Sequence, residues 1–186
     1  TLDGSGDDQA LRADAVAAAS VADVVVVMLG LPVEAESEGF DREHIDLPDA
    51  QLALLDAVLE ANPRTVVVLS NGGVVALPFA DRVPAILEGW LLGQAGGSAT
   101  ADVLYGAVDP SGRLAETIPL RLEDNPSYAN FPGEHGHVRY GEGLFVGYRW
   151  YDERDLDVAF PFGHGLSYTT FAYGEAEASV SPTGDV

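Results

Sequence analysis

The chain has 186 residues, 47% of them hydrophobic, enough for one well-buried domain. Its formal net charge of −21, with only 9 Lys and Arg, argues against nucleic acid and anionic membrane as partners, because phosphate binding needs cations to neutralise it. The absence of Cys excludes disulfides, thiol nucleophiles and thiolate metal ligands and tilts the compartment towards the cytosol.

No apolar run approaches the ~20 residues of a membrane span. The opening Thr1-Leu2-Asp3-Gly4 carries neither an initiator Met nor a signal-peptide pattern, as expected of a piece of a longer chain. Asp3 to Asp8 is rich in Gly and Asp and is expected to be a flexible lead-in. Asp7 or Asp8 is placed to cap a helix reaching Ala22, whose Leu11, Ala15, Ala18 and Ala19 follow helical spacing. Val24 to Leu29 does not alternate polar with apolar. The strand expected over 23–30 should therefore be buried on both faces, as in a parallel sheet.

An acidic stretch follows. Leu47-Pro48-Asp49 then opens a helix over 50–61, with Asp49 as its expected cap and Leu52, Leu55, Val58 and Leu59 as its apolar stripe. Asn62-Pro63 ends it. Thr65 to Leu69 is a second buried strand, closed by the turn Ser70-Asn71-Gly72-Gly73. Phe79 to Arg82 reads as a short helical or irregular piece, Pro84 to Trp90 as a third strand, Gln94 to Gly97 as a turn and Ser98 to Tyr105 as the start of a helix. The order α, β, α, β, β, α with buried strands predicts a layered α/β sandwich with a mostly parallel sheet.

Glu116 to Pro119 is a further short strand. Residues 121–165 are rich in aromatics, Gly, Pro and charge but have little periodicity; such loops suit wrapping a surface or completing a partner's site. Phe160 to Leu166 reads as a structured turn. Phe171 to Val180 alternates as a strand does, without a partner nearby, before Ser181-Pro182-Thr183-Gly184. The α/β domain is expected over 8–160, with a linker and the first strand of another β unit over 161–186.

Glu34, Glu36, Glu38, Asp41, Glu43 and Asp46 crowd the connection between the first strand and the second helix. A loop after a buried parallel strand is where an open α/β sheet places its ligand site. On composition alone the stretch reads first as a solvated acidic loop. General acid catalysis of glycoside cleavage needs a protonated carboxyl facing a second carboxylate. Glu36 and Glu38, two apart, suit like-charge coupling. Gly39 gives the backbone freedom to aim a side chain, and Arg42 is placed to anchor the loop by pairing with Asp41.

Other motifs are weaker. Ser70-Asn71-Gly72-Gly73 lacks both the Lys-Ser/Thr of a P-loop and the spacing of a dinucleotide fingerprint, and reads as a plain turn; Gly141-Glu142-Gly143 is no stronger. His135-Gly136-His137 beside Glu134 reads as loop rather than metal site. His44 lies next to the acidic stretch, within reach of a ligand there, and His164 between glycines reads as a structural hydrogen-bond donor. No G-x-S-x-G occurs, which speaks against serine hydrolase chemistry. No metal or cofactor is expected.

Several long segments, in order, carry a resemblance. Residues 34–49 (EAESEGFDREHIDLPD), 63–71 (PRTVVVLSN), 89–97 (GWLLGQAGG), 102–106 (DVLYG), 110–119 (PSGRLAETIP), 139–152 (RYGEGLFVGYRWYD) and 160–171 (FPFGHGLSYTTF) resemble the second, α/β-sandwich domain of glycoside hydrolase family 3, in its β-glucosidase group, and the lead into a fibronectin-type III domain. The resemblance covers roughly residues 15–175. It implies a retaining β-glycosidase acting on terminal β-linked glucosyl or related substrates. In that family an N-terminal barrel domain of the same chain supplies the nucleophilic Asp, and the sandwich loop donates the acid/base Glu. The family's loop has a Glu directly before Gly, then an aromatic residue, Asp and Arg. Glu38 alone fits that place; Glu36, Asp41 and Arg42 are loop support. The barrel segment is absent from this sequence, so the chain alone is expected to be inactive. Two readings from other classes stand beside this one: a catalytically silent carbohydrate-binding or partner-docking α/β domain, and a nucleotide-binding α/β domain.

Overall fold

The computed structural model describes residues 8–179. The expected lead-in before residue 8, the side-chain cap from Asp7 or Asp8 and the stretch 180–184 lie outside the described residues. In chain order the elements are α1 (Asp8–Val21), β1 (Val25–Gly30), α2 (Asp49–Ala61), β2 (Thr65–Ser70), β3 (Ala85–Glu88), α3 (Gly96–Leu104), β4 (Ile118–Pro119), a 3-10 turn at Leu122–Asp124, α4 (Tyr148–Arg154) and β5 (Val158–Phe160).

The β-branched runs VVV of β1 and β2 lie side by side, Val25 opposite Thr65 and Val27 opposite Val67, and β3 continues the parallel sheet with Ile86 opposite Val67. The sheet order is β1-β2-β3. Val27, Leu29, Val67 and Leu69 point to one face and join Ala19 of α1 and Leu55 and Val58 of α2 in the buried core. That is the α/β layering read from the sequence. All three strands run the same way, so the connections leaving Gly30, Ser70 and Glu88 emerge together at one end of the sheet.

Asn62 locks the helical layer to the sheet. It closes α2 in an extended conformation, and its amide donates to the carbonyls of Ala19 (2.9 Å) and Ala22 (2.8 Å) at the end of α1. Its own side-chain oxygen accepts from the Arg64 amide at 2.9 Å, turning the chain into β2.

At Gly30, β2 passes so close that any Cβ would overlap the Ser70 carbonyl oxygen. The amides of Val25 and Leu31 donate across to the β2 strand region, so the even-numbered groups of β1 face away from β2. At Gly30 these outward groups are satisfied by a side chain: the Gly30 amide donates to Gln51 Oε1 (3.0 Å) and Gln51 Nε2 donates to the Gly30 carbonyl (2.8 Å).

Four expectations need correction. β1 is not buried on both faces: Val26 is 46% and Met28 61% exposed, because β1 is an edge strand and no described helix covers its second face. Asp49 does not cap α2; Pro48 holds the cap position with no side-chain bond, and Asp49 falls in the first turn, where its charge complements the helix dipole. The strand expected over 171–180 does not form across 171–179, since a strand needs a ladder neighbour and none of the described elements supplies one. Finally, 121–165 is more ordered than its composition suggests. α4 and β5 form there, β5 pairs antiparallel with β4, Tyr148 stacks on Phe162 at 5.0 Å, and Trp150 Nε1 donates to the Asp124 carbonyl. Elements this short carry too few turns or alternations for a period to show.

Candidate active site

The connection from β1 to α2 begins with a tight turn, the amides of Ala35 and Glu36 both donating to the Pro32 carbonyl (2.9 and 3.0 Å). It ends where Ile45 and Leu47 enter the core and the Ile45 carbonyl accepts from the Ala76 amide at 2.7 Å. Two side chains between these points reach across to the turn that leaves β2. Glu36 Oε2 accepts from the Gly72 amide at 2.6 Å. Arg42 Nη2 donates to the Val74 carbonyl at 3.0 Å.

Arg42 therefore does not pair with Asp41 as expected. Its guanidinium turns inward over the β2 turn, where a backbone carbonyl is within reach, and Asp41 stays exposed. Arg42 Nη1 is buried with no partner.

Between these anchors stand Glu38, Gly39 and Phe40. Gly39 has φ +95, a left-handed conformation that L side chains avoid. Glu38 is exposed and, among the described residues, no hydrogen bond or ion pair holds its carboxylate. Phe40 is 51% exposed beside it. A shallow cavity of about 280 Å³ opens next to them, lined among others by Phe40, Asp41, Arg42 and His44. His44 is exposed and its Nδ1 accepts from the Asp46 amide at 3.2 Å, so it shapes the loop at the cavity rim. A larger cavity of about 380 Å³ lies around Pro63, Glu60 and the Asp56–Arg82 ion pair, at the opposite end of the strands from the acidic loop.

Behind the loop lies a polar layer that the sequence did not announce. Glu88, at the end of β3, has its carboxyl pushed above the ordinary value by burial. Hydrogen bonds from the Trp90 amide (2.8 Å) and from Asn71 Nδ2 (3.5 Å) pull the other way, and the nearby Glu116 charge adds to the rise. Glu116 is likewise raised by burial, offset in part by Arg42. Asn71 is fully buried, its Nδ2 donates to the Gly73 carbonyl at 2.9 Å, and its Oδ1 has no partner. Trp90 sits at φ +53, which for an aromatic residue is strained backbone next to the site. The one available signal was a carboxylate inside an otherwise apolar strand, PAILEGW.

The remaining histidines do other work. His137 pairs backbone-to-backbone with Glu134 in a small bridge, and the His164 ring lies against Phe160 at 4.9 Å. No group of three or more His, Cys, Asp or Glu among the described residues is arranged to hold a metal ion.

Residues 4–168 match the family model described as the glycosyl hydrolase family 3 C-terminal domain. The chain is 53% identical to thermostable beta-glucosidase B of Acetivibrio thermocellus over 184 residues, 99% of this chain and 24% of the relative. It is 56% identical to an exo-alpha-(1->6)-L-arabinopyranosidase of Bifidobacterium longum, over 92% of this chain and 23% of the relative. Among solved structures, the GH3 beta-glucosidase of Bifidobacterium adolescentis superposes with TM-score 0.89 at 60% identity, covering 92% of this chain and 26% of that one. The beta-glucosidase of Kluyveromyces marxianus in complex with glucose gives 0.86 at 46% identity, over 89% and 20%. The chain thus spans about a quarter of the length of the curated relatives it matches.

Proposed function

The chain belongs to the glycosyl hydrolase family 3 C-terminal domain family, and from that premise we propose that it donates the acid/base residue, Glu38, to a retaining β-glucosidase-type glycosidase. The observation that carries this reading is the state of Glu38. It stands exposed at the free part of a loop fastened on both sides, at the end of the sheet where open α/β sheets bind ligands, with no partner among the described residues.

In this reaction the carboxyl of Glu38 protonates the departing glycosidic oxygen while a second carboxylate, ~5–5.5 Å away, attacks the anomeric carbon. The C–O bond to the aglycone breaks and a glycosyl ester forms. Glu38, now a carboxylate, then takes a proton from water, and the hydroxide equivalent cleaves the ester. The second carboxylate belongs to the barrel domain of the same polypeptide, as the resemblance implies. Phe40, 51% exposed beside Glu38, offers an apolar wall to a substrate there. The similar relatives named for glucosides and for arabinopyranosides support placing the choice of sugar outside this domain.

The test is Glu38→Ala in the complete polypeptide. Poor leaving groups, which need the proton, lose ~10²–10⁴-fold in kcat/KM and activated leaving groups far less. The kcat on the activated substrate falls because hydrolysis of the ester loses its base, and azide restores it as a glycosyl azide. Equal loss of kcat/KM on both substrates removes Glu38 from the acid role.

A further inference from the structure

We propose that Glu36 is a positioning residue for the acid/base group: with Arg42, it clamps the loop onto the turn after β2 and so fixes how far Glu38 projects. This rests on the assignment of Glu38 above. The carboxylate of Glu36 takes the Gly72 amide at 2.6 Å, a short, charge-assisted bond, and the Arg42 guanidinium holds the Val74 carbonyl at 3.0 Å. The loop thus meets one turn at two points, one before Glu38 and one after it. Within the span between them the backbone holds a left-handed glycine and, among the described residues, Glu38 has no bond of its own. The turn is shaped to receive the clamp. A Cβ on Gly72 would lie 3.0 Å from the Glu36 carboxyl and 2.9 Å from Leu91 Cδ1, and one on Gly73 would lie 2.9 Å from Arg42 Nη2. The pair of glycines that reads as a plain turn is, on this geometry, the seat of the loop. The seat is itself braced from below by Asn71, whose amide holds the Gly73 carbonyl at 2.9 Å.

Acid catalysis is the step most sensitive to such a clamp. A misplacement of ~1 Å costs on the order of 10²-fold in a positioned proton transfer, while attack by the other carboxylate does not pass through this loop. The experiment uses the complete polypeptide and compares Glu36→Ala, Glu36→Gln and Gly72→Ala with Glu38→Ala on alkyl and dinitrophenyl glycosides. Glu36→Ala is expected to lose roughly ten- to a hundredfold in kcat/KM on the alkyl glycoside and less than about threefold in kcat/KM on the dinitrophenyl glycoside. That ratio reads the steps up to the glycosyl ester and not the later base-assisted hydrolysis. Gly72→Ala shows a smaller loss of the same pattern. Glu36→Gln keeps an acceptor for Gly72 and recovers part of the loss. Gly72→Ala guards against a trivial charge effect, since its Cβ, 3.0 Å from the Glu36 carboxyl, crowds that group without changing charge. If Glu38→Ala shows the leaving-group signature in kcat/KM but Glu36→Ala loses kcat/KM on both substrates equally, or on neither, the clamp is overturned and the acid assignment stands. If Glu38→Ala lacks the signature, the acid assignment fails and takes the clamp with it.

Discussion

Glu88 shows how a single residue couples the sheet to the site. Burial raises its carboxyl above the ordinary 4.5, so the folded state holds the proton more tightly than the unfolded chain does. Stability from that proton is fully present below about 4.5 and is lost as pH rises through the folded value. At pH 7, well above the ordinary value, that stabilisation is reduced or gone, and Glu88 costs stability relative to a side chain that does not ionise. Glu88→Gln, which keeps an acceptor for the Trp90 amide, is expected to raise the melting temperature at pH 7 by a few degrees, roughly 2–4 °C per kcal/mol. It should give no gain at pH 4, as a pair of thermal melts would record. An equal gain at both pH values would mean that packing rather than ionisation is responsible. The same scale marks what was legible in the sequence. Glu38 could be singled out because it precedes Gly39-Phe40-Asp41-Arg42 in a recognisable string, and the structure leaves it exposed on the loop. The inward turn of Arg42 could not, because its partner is the carbonyl of Val74, brought beneath the loop only by the tertiary fold.

At the scale of elements, the sheet and its helices were readable and the edges were not. The runs in β1 and β2, the stripe on α2 and the stop at Asn62 each obey a local rule, and each element formed within a residue or two of its expectation. The burial of β1 was overestimated because apolar periodicity reports what a strand can bury, not what is present to bury it. Gln51 was missed altogether: it lies in a helix, yet it completes the hydrogen bonding of a strand end. Removing it in Gln51→Ala leaves the Gly30 amide and carbonyl without these partners and is expected to cost about 1–3 kcal/mol. Denaturant unfolding would check this. Gln51→Glu, which keeps the acceptor and loses the donor, should also be destabilised.

At the scale of the molecule, an acidic surface stands beside exposed apolar groups. Negative charge disfavours polyanions, while Val26 and Met28 on β1 and Tyr140, 82% exposed in the aromatic loops, leave apolar surface uncovered. With a quarter of its relatives' length and one assigned carboxylate, the 186-residue chain is expected to show no β-glucoside turnover above buffer, even with dinitrophenyl glucoside, at enzyme concentrations where the complete polypeptide is saturatingly active. Turnover by the purified chain would mean that it contains its own nucleophile.

The glutamine bridge at the end of β1 sets a boundary as well as a bond. Val26 and Met28 offer open backbone groups along the outer margin of the sheet, but at Gly30 that margin is already occupied by Gln51. A ribbon added alongside could therefore zip up only as far as Met28. It would stop short of the rim from which Glu38 rises, so the sheet can widen sideways while its mouth stays clear.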